Sequence, residues 1–137
     1  MTITEIENEI IEEFDLFGDE WEGKYEHLIE LGKSLPKIKE DYKTDDRIIK
    51  GCQSKVWLHS EKQGNEIVYT ADSDAIITKG MVALMIRVLS HQTPQTIINS
   101  NLDFINKIGL TEHLSPTRAN GLVSMIKQMK LDAMALQ

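Results

Sequence analysis

The order of hydrophobic periodicities in this chain predicts an α+β fold, a small antiparallel β-sheet with helices packed on one face. Three observations carry that prediction. Apolar residues recur at helical spacing through the first 35 positions, alternation of period two runs between about residues 54 and 70, and a nearly all-apolar segment with helix punctuation follows. The chain has 137 residues, 41% hydrophobic and 27% charged. That amount of chain predicts one domain over residues 1–137, with a core of ordinary size that needs no staples.

The first helix is predicted over residues 2 to about 16. Ile3, Ile6, Ile10 and Phe14 recur at helical spacing, and Ile11 widens the stripe. Thr2 with Glu5, and equally Thr4 with Glu7, have the spacing of a capping box. Gly18 ends this element. Asp19 is the expected cap of a second helix, whose apolar face is Trp21, Tyr25, Leu28, Ile29 and Leu35 and which Pro36 stops. Residues 36–46 are charged and read as loop. Residues 47–50 have the character of a short strand. Residues 54–60 alternate, with Val56 and Leu58 on one face and Trp57 on the other. Residues 62–65 hold a Gly and an Asn and read as a hairpin loop, after which residues 66–70 form the second clear strand.

Next comes AIITKGMVALMIRVL, apolar nearly all round, which predicts a helix buried mid-domain. Gly80 within it predicts close approach of another backbone. Asp72 and Asp74 are placed to cap this helix. Thr93-Pro94 and Ser115-Pro116 each give a cap followed by proline at the first helical position. The second pair opens the last helix, with Leu122, Met125, Ile126, Met129 and Met134 on one face, and residues 102–108 are a further short helix. Trp57, Met81 and Met85 are expected in the core.

The net charge of -7 argues against nonspecific binding to nucleic acid, whose phosphates the chain would repel. No apolar stretch approaches the roughly 20 residues that span a bilayer. The acidic N-terminus lacks the basic and apolar regions of a signal peptide. A soluble, cytoplasmic protein is expected, with no membrane partner. One cysteine makes no internal disulfide and no thiolate-rich metal site, so no metal is expected.

That cysteine is the informative residue. Cys52 follows Gly51 and precedes the polar pair Gln53-Ser54, with cations at Arg47, Lys50 and Lys55. Free cysteines are commonly small core residues. Here Gly51 allows a sharp turn, the polar pair is a poor core neighbour, and the cations would favour the thiolate, the form that attacks. The four histidines, His27, His59, His91 and His113, lie in no recognisable protease context and read as surface or helix-end residues. A peroxide sensor usually wants a second, resolving thiol. Exchange with a partner's thiol or persulfide needs only one on this chain.

Gly51-Cys52-Gln53-Ser54-Lys55-Val56-Trp57 resembles the active-site segment of the SufE family of sulfur acceptors. Three further runs resemble later motifs of that family: Asp72-Ser73-Asp74-Ala75 continuing to Lys79-Gly80, Thr93-Pro94, and Leu114-Ser115-Pro116-Thr117-Arg118-Ala119-Asn120-Gly121. WEGKYEHLIELGKSL is similar to the family's second helix, and the N-terminal helix is the least family-like part. The resemblance implies the α+β fold, shared with scaffold proteins of the IscU type. It implies that Cys52 takes sulfur from the persulfide of a pyridoxal-phosphate cysteine desulfurase (SufS-like or CsdA-like), stimulates that enzyme, and passes the sulfur to an iron–sulfur scaffold complex (SufBCD-like). The pyridoxal phosphate belongs to the partner, so no cofactor is expected on this chain. Gly51, Gln53, Ser54, Asp74 and Arg118 are the expected supports of the cysteine loop, with an Asp74–Arg118 ion pair as one arrangement. Arg47, Lys50 and Lys55 are the expected docking cations. A cluster scaffold, which wants several thiolates, and a thiol-switch or interaction domain without sulfur relay are the alternatives.

Overall fold

The structure, a computed structural model, describes residues 1–52 and 54–137. Its elements run α1 (Ile3–Asp15), α2 (Trp21–Lys33), β1 (Val56–Gln63), β2 (Glu66–Ser73), α3 (Ile76–Leu89), α4 (Pro94–Asn99), α5 (Phe104–Lys107), α6 (Leu110–His113) and α7 (Pro116–Leu136). The architecture is α+β, as the periodicities predict.

Helix α1 opens with the capping box formed by Thr2 and Glu5; Thr4 and Glu7 lie inside the helix. Helix α2 departs from expectation at its start. Its cap is Glu20 rather than Asp19, and the Glu20 side chain makes no capping bond to the first turn. The segment 36–46 is not featureless, because 3-10 turns form at Glu40–Tyr42 and Asp45–Arg47. Residues 47–50 form no strand of their own. A single bridge joins Ile48 to Trp57, and the Ile49 N–H donates to the Val56 carbonyl at 2.9 Å.

The sheet is one antiparallel hairpin, β1 beside β2, with Gln63 opposite Glu66 and Val56 opposite Ser73. Both strands outrun the alternation that announces them. Gly64 and Asn65 form the connection. Gly64 has φ +63° and Asn65 is not in the left-handed region, which fits a type II′ hairpin turn with glycine first. Val56, Leu58, Ile67, Tyr69 and Ala71 turn to one face and are buried. On the other face Trp57 is only half-buried, with the Lys43 ammonium 5.5 Å from its ring, so it is not the core residue expected.

Helix α3 lies against β2 and is largely buried, Met81 and Met85 included. Neither Asp72 nor Asp74 caps it. The cap is Ala75, and its N–H is taken by the Ser73 hydroxyl at 3.2 Å. Helix α2 crosses α3 closely, as Gly80 foretells. A Cβ at Gly80 would fall 2.3 Å from the Leu28 carbonyl oxygen, and one at Gly32 would fall 2.9 Å from the Gly80 nitrogen. Helices α4 and α7 begin with the expected caps, Thr93 on the Thr96 N–H and Ser115 on the Arg118 N–H. The buried face of α7 holds Gly121, Leu122, Met125, Met129 and Ala133, whereas Met134 is exposed. Among the described residues no helix is long and apolar enough to cross a membrane.

Candidate functional site

The cysteine is reached through a turn at Lys50 and Gly51. Gly51 has φ +94°, and a Cβ there would sit 2.5 Å from the Ser124 hydroxyl of α7. The positive φ is the demand that glycine meets without strain, since the Ser124 hydroxyl could turn aside. The turn lays Cys52 on α7. Its thiol donates to the Gly121 carbonyl at 3.6 Å, and a Cβ at Gly121 would stand 3.4 Å from the sulfur. A methyl group at 121 would make ordinary contact with the sulfur.

Past Gln53, which lies outside the described residues, the chain is tied down from the other side. The Ser54 hydroxyl donates to the hydroxyl of Thr78, a buried residue of α3, at 3.1 Å. The Lys55 N–H donates to Asp74 Oδ1 at 3.0 Å, and the Asp74 N–H donates back to the Lys55 carbonyl at 3.3 Å. Asp74 thus clamps the end of the cysteine loop to the β2–α3 junction. Asp72 serves elsewhere, pairing with Lys43 at 2.9 Å and Lys79 at 3.4 Å.

Cys52 opens on a cavity of about 310 Å³ between α3 and the first turns of α7. Met81 and Met125 supply its apolar wall, and Asp74, Thr117 and Arg118 supply its polar rim. The Asp74–Arg118 ion pair is not formed. Asp74 spends a carboxylate oxygen on Lys55, and the ion pairs among the described residues leave Arg118 out. Arg118 instead stands exposed at the cavity mouth.

The electrostatics differ from the sequence expectation. Burial alone acts on the thiol and pushes its pKa above the ordinary cysteine value. The three cations do not gather at the sulfur. Arg47 faces a different cavity, where it bonds His59 and Thr44. Lys50 lies beside Ser124 and Lys127 on the outer side of α7, and Lys55 is exposed. Gly121, Thr78, Ser124 and the two methionines were not singled out as site residues by sequence. Gly121, a glycine inside a helix three residues after Arg118, was the one legible signal for that group. Among the described residues no cluster of three or more His, Cys, Asp or Glu side chains comes together to hold a metal ion.

A helix-walled hairpin, with one half-buried thiol over a cleft on the loop that leads into it, defines a small α+β thiol protein. The SufE family model, described as an Fe-S metabolism associated domain, matches residues 8–133. An uncharacterized SufE-like protein of Rhizobium meliloti (strain 1021) is 41% identical over 131 residues, covering 92% of this chain and 93% of its own. The chain belongs to the SufE family, and its role lies in iron–sulfur metabolism. The solution structure of a hypothetical protein from Thermus thermophilus superimposes with a TM-score of 0.78 at 17% identity, covering 95% of this chain and 94% of the other. That likeness shows the same fold.

Proposed function

We propose that this protein is a sulfur acceptor and carrier that takes sulfur onto Cys52 from the persulfide of a cysteine desulfurase. The observation that carries the reading is the placement of Cys52: half-buried on Gly121, at the edge of a cavity of about 310 Å³. Membership of the SufE family supports it.

In the transfer step the Cys52 thiolate attacks the outer sulfur of the partner's cysteine persulfide. A new S–S bond forms on Cys52 as the partner's S–S bond breaks. The partner's cysteine leaves as a thiolate and takes up the proton that Cys52 released. Sulfur moves at constant oxidation level, so the exchange needs no external oxidant or reductant. Removing the outer sulfur frees the desulfurase for another turnover, which is how an acceptor stimulates it. Cys52 then hands the sulfur on to an iron–sulfur scaffold complex. In this reading the pyridoxal phosphate stays on the desulfurase, the carrier acts beside it in the cytoplasm, and this chain draws on no cofactor of its own.

Burial gives the carrier a resting state. With its pKa raised, the free thiol is protonated at neutral pH and reacts slowly. Drawing the loop off Gly121 on docking removes the desolvation and exposes the sulfur. Gly51 is the residue able to absorb the change in backbone angle. Lys55 and Arg118 are exposed near the loop and suit an acidic docking surface, whereas Arg47 and Lys50 face elsewhere.

The test is intact mass spectrometry after incubation with a cysteine desulfurase and cysteine, without reductant. Wild type should gain one or more sulfur atoms and accelerate the desulfurase, and Cys52→Ser should do neither. Absence of added sulfur with several desulfurases would defeat the reading.

A further inference from the structure

A second cavity, of about 350 Å³, lies between the outer edge of β1, the C-terminal half of α7 and the 3-10 turn at Asp45–Arg47. Cys52 is not among its lining residues, and the sulfur-transfer reading makes no use of it. Its volume is in the range of small-molecule sites, roughly 300–1,000 Å³.

Three charged side chains line it: Asp46, which is exposed and accepts from the Thr44 hydroxyl, and the more buried Arg47 and Asp132, which do not meet each other. The half-buried Arg47 guanidinium lies over the Tyr42 ring at 4.9 Å. It donates Nε–H to His59 Nδ1 at 3.3 Å and one terminal N–H to the Thr44 hydroxyl at 2.9 Å. Both acceptors are uncharged as they stand. His59 stacks on Tyr42 with centroids 3.7 Å apart. Burial first, and then the neighbouring Arg47, hold its pKa below the ordinary histidine value, so the ring is neutral at pH 7. Among the described residues no carboxylate lies within ion-pair distance of Arg47, although the exposed Asp46 is near enough to feel its charge. Its second terminal nitrogen remains able to donate. Asp132, on α7, accepts from the Ser60 hydroxyl at 2.6 Å and from the Gln128 amide at 2.8 Å. These bonds fix its orientation and leave each oxygen a further lone pair, and neither donor is a cation.

A guanidinium and a carboxylate held by neutral groups, in one cavity and unpaired with each other, are complementary to a molecule that carries both charges. A simple carboxylate would leave Asp132 unmatched, and a simple amine would leave Arg47 unmatched. Leu58 and Leu136 form an apolar part of the wall. Among the described residues, no cation beyond Arg47 lines the cavity to receive a second acidic group.

We propose that this cavity binds a small neutral α-amino acid, with its carboxylate on Arg47, its ammonium on Asp132 and its side chain toward Leu58 and Leu136. The proposal is independent of sulfur transfer and is tested without a desulfurase.

The full-length protein, labelled with nitrogen-15, is titrated with L-alanine and L-serine and separately with propionate and propylamine. The amino acids should give saturable amide shifts at residues 46–48, 58–60 and 128–136, and should bind more tightly than either half-ligand. Arg47→Gln and Asp132→Asn should each weaken binding by about tenfold or more, since each leaves one ligand charge without its partner. If either variant loses its dispersed spectrum, the half-ligands on the parent protein decide the question. No saturable shift with either amino acid in the millimolar range would overturn the proposal, and so would propionate binding as tightly as alanine.

Discussion

Cys52 is flanked by two glycines that reach it from different directions, Gly51 along the chain and Gly121 across the loop. The first permits the turn and the second offers its carbonyl to the thiol. Together they desolvate the thiol, and no positive charge among the described residues offsets that. The consequence is measurable in the free protein. Alkylation of Cys52 by iodoacetamide at neutral pH should be slower than that of a small free thiol. Its rate should continue to climb with pH beyond the roughly 8.5 at which an ordinary cysteine is half ionised. A rate profile with its midpoint below that value would show that the cations around the loop, not burial, set the thiol's acidity. The sequence made Cys52 and Gly51 legible because a lone thiol after a glycine is a local pattern. It also pointed to Asp74, but gave capping as one of its two uses. The Lys55–Asp74 clamp joins residues 19 positions apart, and no periodicity encodes which backbone N–H a carboxylate will find. The charges misled for the same reason. Arg47 and Lys50 are close to Cys52 in sequence, but the turn directs them to other surfaces.

At the scale of elements, the α2–α3 crossing brings two helix backbones together through Gly32 and Gly80. The apolar composition of α3 announced a buried helix, and Gly80 announced the close approach. The partner was not legible, because Gly32 carries no signal until the two helices are brought together. Gly80→Ala would set a methyl group 2.3 Å from the Leu28 carbonyl oxygen, and neither helix backbone can yield without disturbing the core around it. Helix propensity favours alanine by about 1 kcal/mol, but overpacking of this kind costs about 1–3 kcal/mol. The backbone clash is severe enough that the second effect should win. Urea denaturation should show Gly80→Ala less stable than wild type by about 1 kcal/mol or more. A variant as stable as wild type would mean that the helices separate freely and that the crossing is not a fixed point of the fold. The short helix α6 escaped sequence reading because four residues make a single turn, too short for any period to emerge.

Across the whole molecule, charge is arranged so that acid should loosen it. Helix α1 is fastened to α3 through Arg87, which donates to Glu13 at 2.9 Å and lies 3.5 Å from Glu9, while His27 of α2 meets Glu13 at 3.0 Å. The Arg87 hydrogen bonds hold the Glu13 carboxyl below the ordinary glutamate value, outweighing the opposing effect of burial. At Asp72 burial pushes upward, but the hydrogen bonds from Lys43 and the Ser73 N–H, with Lys79 nearby, leave it lowered. A carboxyl whose pKa is lower folded than unfolded contributes stability above its unfolded pKa and loses it as pH falls through the folded value. Both groups therefore stabilise fully at neutral pH and lose that contribution below about pH 4. Glu7 works the other way, since burial raises its pKa, and it offsets part of the loss. Urea midpoints measured from neutral pH downward should fall for wild type. Glu13→Gln should start lower at neutral pH, by no more than about 1 kcal/mol because the pair is partly exposed, and should fall less steeply. The two curves should converge once Glu13 is protonated. Parallel curves across the whole range would show that Glu13 joins the helices by its shape and hydrogen bonds alone, and that its charge contributes nothing to holding α1 on the core.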